Sequence, residues 1–479
     1  MLLDWRRIFS NDKKEGPTAL VVPYKCDKRE YILLDSLNDK EKIIEFLKET
    51  NCTGKPGENR IFPLKGDQYD YIALFAINDE EDSVECSVLE GAAKLYSCLK
   101  DYGVKNVKIS EGIYSDMVIR GLMLKGFKYD FLKKEKEDPL VILSGATDKF
   151  NDDIEKTKAQ LFSIFLQETP ANYLTPTLFC EYAREYLKDN QNIKINAYDE
   201  EFMKEKGMNM LLSVGQGSIQ PSKLLVIEYK GKNTEEFDVG LVGKGVTFDS
   251  GGISLKPSLG MKDMKKDMGG ASVVLSSIGY TAMKKESINV VCVIPLVENL
   301  PSDKATKPGD VFKAMNGKTV DVTNTDAEGR LILGDALCFA QEIYNPKYLM
   351  DFATLTGAII VALGSTYSGV FSNSNELFEK IQKASDISKD EIWRMPLDNL
   401  TRRKLKGDAS DLLNHIKFGS GSVLAAVFLE EFVKKETKWA HFDIAGMMEG
   451  PQLSGVYGDY AQGRPTVLLC ELMSLLSKE

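Results

Sequence analysis

The sequence predicts an α/β protein of two domains: a small α/β domain over residues 1–150, then a larger α/β domain over residues 151–479 whose central, mostly parallel or mixed sheet is flanked by helices. Three observations predict it. The chain's 479 residues exceed what one hydrophobic core ordinarily serves. Apolar runs of strand length alternate with helical patterns along most of the chain, and in the second part those runs are continuous enough for strands covered on both faces. A charge run, Lys133-Lys-Glu-Lys-Glu-Asp138, and a polar stretch from Gly145 to Asp153 put the domain boundary at about 145–155.

In the first domain, Ala19–Val22, Tyr71–Phe75 and Val107–Ile109 have the branched and aromatic character of strands, while Cys86–Lys100 and Ser115–Lys125 carry the helical period. Pro139–Leu143 is a further strand. A helix over Ile154–Leu166 opens the second domain, and Thr175-Pro176 supplies an N-cap and first helical residue for the next. Strands then follow at Leu224–Tyr229, Val239–Val242, Val290–Leu296, 348–352 and Trp439–Ile444, with helices over 270–284, 331–343 and 422–435. No repeat, low-complexity tract or heptad array interrupts the pattern.

With 43% hydrophobic and 28% charged residues the composition is that of a soluble globular protein. A net charge of −10 argues against general affinity for nucleic acid or anionic membranes. No stretch approaches eighteen uninterrupted apolar residues, so no membrane span is expected, and Met1-Leu-Leu-Asp-Trp-Arg-Arg7 has charge where a signal peptide needs an apolar core. Eight cysteines are scattered without a C-x-x-C pair, mostly in apolar surroundings, and are read as buried reduced thiols of a cytoplasmic protein. Only two histidines exist, His415 and His441, so a His-rich zinc site cannot be assembled. Metal chemistry must lean on carboxylates and lysine.

Such a set of residues exists. In Asn324-Thr-Asp326-Ala-Glu328-Gly-Arg330-Leu331 two acids and a guanidinium alternate, and in an extended backbone Asp326, Glu328 and Arg330 would share one face. Two acids aimed at one point repel unless a cation sits between them. A lone D-x-E is usually a solvated acidic turn; a second cluster upstream decides against that here. Val242-Gly-Lys244-Gly-Val-Thr-Phe-Asp249-Ser-Gly-Gly252-Ile-Ser-Leu-Lys256 begins where an apolar strand ends, the place where open α/β sheets put ligand sites. Asp267, in Met264-Lys-Lys-Asp267-Met-Gly-Gly270, lies just before a helix whose dipole favours a negative group.

Other readings of this segment fail. A phosphate-binding P-loop needs Gly where the chain has Asp238 and Ser or Thr where it has Gly245, and the glycines at 240, 243 and 245 do not fit a dinucleotide fingerprint. Asp249-Ser-Gly-Gly252 resembles the nucleophile segment of chymotrypsin-like proteases, but neither histidine has the context of a general base.

Together the two segments resemble the M17 leucyl aminopeptidase family, whose metal-site motif is N-T-D-A-E-G-R-L. The resemblance continues through Lys307-Pro-Gly-Asp-Val311, Gly317-Lys-Thr-Val320, Thr354-Leu-Thr-Gly357 and Trp439-Ala-His-Phe-Asp-Ile-Ala-Gly446, covering roughly residues 155–479. Over the first domain it rests on size, α/β character and a local likeness at Gly126-Phe-Lys-Tyr-Asp-Phe131. It implies a dimetal aminopeptidase with metal ligands Lys244, Asp249, Asp267, Asp326 and Glu328. Asp249 and Glu328 would bridge the metals, Lys244 and Asp267 complete one, and Asp326 the other. Lys256 and Arg330 match the family's catalytic positions that are not ligands, Arg330 holding a bicarbonate ion. Met264, Thr354, Gly357, Ala445 and Met448 fall on an apolar substrate pocket, which implies a broad preference for Leu and other apolar N-terminal residues.

Charge bookkeeping agrees with that assignment: four carboxylates balance two divalent cations, leaving Lys256 and Arg330 as surplus positive charge where an oxyanion forms. Lys244 can coordinate only as the free amine, so its pKa must fall from about 10.4. The expected reaction is hydrolysis of peptides by a water shared between two metals roughly 3.5–4 Å apart. Oxygen and amine ligands accept Zn²⁺, Mn²⁺, Co²⁺ or Mg²⁺. By resemblance the protein assembles as a homohexamer, the first domain serving that assembly. Two alternatives stay open at this level: a dipeptidase acting chiefly on Cys-Gly at the same centre, and a non-catalytic DNA-binding or regulatory protein, against which the acidic charge weighs. Of the histidines, His441 reads as structural and His415 receives no role.

Overall fold

The computed structural model describes the chain except residues 1, 10–11, 28–29, 35–38, 65–67, 78–83, 111, 113, 418, 420 and 449–453. It divides into two compact units. The smaller comprises Leu3–Leu161 with the returning helix Ser454–Tyr457, and the larger comprises Phe162–Gly450 and Tyr460–Glu479 together with Met1–Leu2. The division falls inside the helix Asp148–Glu168.

The smaller unit is built on a six-stranded mixed sheet. Thr18–Asp27 lies in its middle, parallel to Tyr71–Ala76 and Asn106–Ile109 and antiparallel to Glu30–Leu33. The helices Val84–Asp101 and Ser115–Gly126 pack together, and buried apolar residues line both faces of the sheet. Pro139–Leu143 shortens to the pair Val141–Ile142.

The larger unit carries a nine-stranded mixed sheet. From one edge its strands run Ile392–Met395, Ser368–Ser372, Lys438–Asp443, Tyr348–Ala353, Val239–Gly243, Asn289–Asn299, Lys223–Lys230 and Ile193–Tyr198, with Gly245–Asp249 paired alongside Asn289–Asn299. The centre is parallel: Val239 pairs with Tyr348 and with Val290, Tyr348 pairs with Lys438, and Gly245 pairs with Leu296. All eleven residues of Asn289–Asn299 are buried, as a run of Val, Ile and Leu between two helical layers requires. Thr175 caps the helix Pro176–Leu187 by accepting from the Leu178 N–H, with Pro176 at the first turn.

Helix Gly269–Met283 is buried almost throughout and approaches the sheet so closely that a Cβ on Gly270 would lie 1.9 Å from the Phe352 carbonyl oxygen. Helix Gly329–Ile343 covers the other side of the same strands. A small three-stranded sheet, Asp310–Lys313, Thr319–Val322 and Leu412–Leu413, leads directly into the Asn324–Arg330 segment.

Gly245–Asp249, to which the sequence gives no element, is a strand, its β character hidden among glycines. Two expectations are corrected. The helix expected over 422–435 is Gly421–Glu430, because the chain turns while its apolar pattern runs on through Phe432 and Val433. Not all cysteines are buried: all eight are free, but Cys86 is exposed in the first turn of its helix, and Cys26 and Cys98 are partly so.

Candidate metal centre and substrate pocket

Parallel strands point their last residues to one edge of the sheet, and the residues of interest gather there. Lys244 follows Val239–Gly243, Asp249 ends Gly245–Asp249, and Thr354 follows Tyr348–Ala353. Two helix N-termini face the same place: Asp267 immediately precedes Gly269–Met283 by two residues, and Glu328 is the N-cap of Gly329–Ile343.

The side chains form one cluster in which Lys244, Asp249, Asp267 and Glu328 are buried and Asp326 and Lys256 are partly exposed. Lys244 Nζ donates to Asp267 Oδ1 at 2.8 Å and to the Thr354 carbonyl at 3.0 Å, and lies 2.9 Å from Glu328 Oε1. Gly329 leaves room beside it, since a Cβ there would stand 2.7 Å from Lys244 Nζ and the lysine would have to shift. Lys256 Nζ sits 2.9 Å from Asp249 Oδ2 and also pairs with Asp326 Oδ1. Carboxylate oxygens of Asp249, Asp326 and Glu328 come within 4.8 Å of one another, close enough to share a cation.

Burial and mutual repulsion shift the pKa values of the acids in this cluster. Burial, with Glu328, raises Asp249; burial raises Asp267 well above the carboxylate range although Lys244 pulls the other way; burial, with Asp249, raises Asp326. Burial works against the Lys244 ammonium, but Asp267, Glu328 and Asp249 outweigh it and hold its pKa above the ordinary lysine value. The expected fall in the Lys244 pKa therefore needs cations that take over the neutralising of these acids. Glu328 Oε2 is buried and accepts no hydrogen bond from the described residues. A carboxylate oxygen without a donor in a dry cluster fits a metal ligand.

Asp326 and Glu328 converge, but not on an extended strand. Residues 324–328 turn, and Glu328 has φ −73° and ψ −36°, so Arg330 belongs to the first turn of a helix. The turn lets Asn324 Oδ1 accept the Asp326 N–H at 2.9 Å. Arg330 is 5% exposed and donates from Nη1 to the Asn414 carbonyl at 2.7 Å, while its Nε has no acceptor among the described residues. Burial lowers its pKa to about 10, partly offset by Glu328 and Asp443, so it remains a cation with a spare donor, which fits a small anion.

The five residues expected to line the pocket lie on connected turns. Thr354 donates from Oγ1 to Asp267 Oδ1 at 2.9 Å. Gly357 opens helix Gly357–Leu363, and a Cβ there would meet nothing within 4 Å. Ala445 and Met448 bound the short turn Ala445–Met448, which packs on that helix. Met264 lies in the turn Met261–Lys266 that precedes Asp267.

Several residues supporting the site have no local signal in the sequence. Asn299 donates to Asp249 Oδ1 at 2.9 Å and to the Thr325 carbonyl at 3.0 Å, joining the two acidic segments. Asn414 Oδ1 accepts the Thr323 N–H at 2.9 Å, and its Nδ2 donates to the Asn324 carbonyl at 2.7 Å. Asp443 accepts from the Leu355 N–H at 3.1 Å and the Thr356 hydroxyl at 2.6 Å, binding the Thr354–Gly357 turn to the strand that leads to Ala445. His441 is fully buried, and its Nδ1 lies 2.6 Å from Asp351, which also accepts from Trp439 Nε1 at 2.8 Å. That is a core network. His415 faces an open cavity of about 650 Å³ shared with Ser254, Asn324 and Ile416, where burial and the nearby Arg330 charge lower its pKa.

The family described as "Cytosol aminopeptidase family, catalytic domain" matches residues 162–470. The cytosol aminopeptidase of Encephalitozoon cuniculi is 47% identical over 397 residues, covering 82% of each chain. That of Homo sapiens is 40% identical over 405 residues, covering 83% of this chain and 77% of its own. Among solved structures, the bottromycin maturation enzyme BotP in complex with Mn superposes with a TM-score of 0.83 at 26% identity, covering 96% of this chain and 99% of that one. The motif run, the sheet edge it occupies and these likenesses agree, and the chain belongs to the cytosol aminopeptidase family of metal-dependent aminopeptidases.

Proposed function

We propose that this aminopeptidase removes Leu and other apolar N-terminal residues from peptides at a centre of two divalent cations held by Lys244, Asp249, Asp267, Asp326 and Glu328. The observation that carries it is the acidic cluster itself, three mutually close carboxylates, two of them buried, with an oxygen of Glu328 left without a donor among the described residues. When bound, two divalent cations supply Lewis acidity toward the scissile carbonyl and a water acidified enough to attack at neutral pH. Zn²⁺ and Mn²⁺ suit this donor set, as do Co²⁺ and Mg²⁺.

The chain's own residues do the rest. Lys256, partly exposed and charged, donates toward the oxygen of the carbonyl as negative charge develops there. Arg330, whose Nε–H has no acceptor among the described residues, would hold a bicarbonate ion, and such an ion would supply a proton acceptor beside the carbonyl. Water adds to the carbonyl carbon, the C–N bond breaks, and the departing amine leaves protonated. Met264, Thr354, Gly357, Ala445 and Met448 take the N-terminal side chain, with the open space above Gly357 leaving room for it and the methionines adapting to several shapes.

The family likeness favours a homohexamer in the cytoplasm, with the first domain serving assembly; the free cysteines agree with a reducing compartment. No helix of the described residues is long and apolar enough to cross a membrane. The test is chromophore release from leucine anilide before and after chelation, with Zn²⁺, Mn²⁺ or Co²⁺ added back. Activity lost on chelation, restored by metal and absent for the N-acetylated substrate is expected; no turnover with any metal on several N-terminal residues would overturn the reading.

A further inference from the structure

One heavily built polar group beside the site is not needed by the chemistry above. Lys266 ends the turn Met261–Lys266, one residue before Asp267, and is only 2% exposed. Its Nζ donates to the Met448 carbonyl at 3.3 Å, and lies 3.3 Å from Glu168 Oε1 and 3.7 Å from Asp263 Oδ1. Glu168, itself buried, accepts the Ala461 N–H on the same Oε1 at 2.7 Å. The neighbouring Lys265 lies 3.1 Å from Glu168 Oε2 and donates to the Glu168 carbonyl at 2.7 Å.

Desolvating an ammonium and a carboxylate costs several kcal/mol each, and apolar side chains of similar volume often stabilise such a position as well or better. Stability alone is a poor reason for this pair. What it does achieve is geometric: one ammonium ties the turn carrying Met264 to the backbone of Met448. Methionine has three rotatable bonds and defines a shape poorly by itself, so the separation of the two backbones governs how wide a pocket between these side chains becomes.

We infer that Lys266, with Glu168 as its counter-charge, is a positioning residue that sets the width of the substrate side-chain pocket and so the discrimination among apolar N-terminal residues. The inference rests on the pocket reading above. Lys266 does not touch substrate, since its amine is committed to Met448 and Glu168.

The test compares kcat and KM on the anilides of Ala, Leu and Phe for the wild type, Lys266→Met, Lys266→Arg and Glu168→Gln, each metal-loaded and with its bound metal measured. In Lys266→Met the Leu-to-Ala ratio of kcat/KM should fall about tenfold, the scale on which an apolar pocket discriminates small differences in side-chain size, with the change in KM. Lys266→Arg should restore most of the ratio, and Glu168→Gln should shift it in the same direction as Lys266→Met. An unchanged ratio in Lys266→Met would overturn the inference, and so would an equal fall on Ala and Leu with loss of metal, which would mean damage relayed through Asp267. Should Lys266→Met not fold, Glu168→Gln decides by the same ratio. A wild type that turns over none of the anilides would fail at the proposed function, a result distinct from an active wild type whose ratio the variants leave unmoved.

Discussion

Asn299→Leu removes two hydrogen-bond donors at the far end of the strand Asn289–Asn299 while keeping the branching and the heavy-atom count of the side chain. Asn299 is 4% exposed and gives one Nδ2 bond to Asp249 Oδ1 and another to the Thr325 carbonyl. After substitution Asp249 Oδ1 keeps only the Gly251 N–H, at 2.9 Å. A hydrogen bond to a charged acceptor is worth about 1.5–3 kcal/mol and one to a neutral carbonyl about 1 kcal/mol. The first of these aims a carboxylate proposed to be shared by both cations. At about 1.4 kcal/mol per tenfold, its loss predicts metal affinity roughly 10- to 100-fold weaker, the range found for partners that orient metal ligands. Competition of Mn²⁺ binding against a chromophoric chelator measures this directly, with circular dichroism to confirm the fold. Affinity within about twofold of the wild type in a folded variant would refute the reasoning, since it would mean that Asp249 is held by its own backbone or does not bind metal.

Lys256→Met should lower kcat by about 10²–10³ while bound metal is retained, the usual cost of losing one donor to a developing oxyanion; a change confined to KM would reassign Lys256 to ground-state binding. Asp335, fully buried, accepts the Leu211 and Met315 N–H groups, yet burial raises its pKa from 3.8 to about 7. A carboxyl raised on folding contributes stability that is fully present below its unfolded pKa and is lost as pH rises through about 7. The stability lead of the wild type over Asp335→Asn should therefore shrink by up to about 4 kcal/mol between pH 4 and 8, and denaturant titrations showing a constant lead would contradict it. Asp351→Ala strips His441 and Trp439 of their shared acceptor and should cost about 3–5 kcal/mol in unfolding free energy, whereas a loss under about 1 kcal/mol would show the network to be dispensable.

What the sequence makes legible follows from how local each determinant is. Val290–Leu296 reads as a central strand because burial on both faces forces continuous apolar residues, and the structure buries every one of them. Gly245–Asp249 does not, because what makes it a strand is its pairing with Leu296–Asn299, and Asn299 stands 50 residues beyond Asp249 in the chain. The residues of the acidic cluster are recognisable because their types are dictated by chemistry and their motif is short. The alternation of Asp326, Glu328 and Arg330 is also real, but five residues cannot distinguish a strand from a turn entering a helix, and the helix is what the structure chooses.

The supporting residues show why a motif locates a site without explaining it. Asn299, Asn414 and Asp443 each come from a different strand end or loop, and nothing near them in sequence says that an amide or a carboxylate is needed. Lys266 is harder still, since nothing in Lys265-Lys266 shows that the fold brings Glu168 to both lysines and the Met448 carbonyl to the second. Lys244 carries the same point into the chemistry. Its three acidic neighbours hold it as an ammonium, so the fold alone makes it a counter-ion and not a ligand. Cations that neutralised Asp249, Asp267 and Glu328 would free its lone pair, so on the proposed reading the amine would become a ligand by the same event that assembles the centre. Proton release should accordingly accompany metal binding, and calorimetry in buffers of different ionisation enthalpy would detect it; binding heats that do not vary with the buffer would show that Lys244 keeps its proton and stays outside the coordination shell.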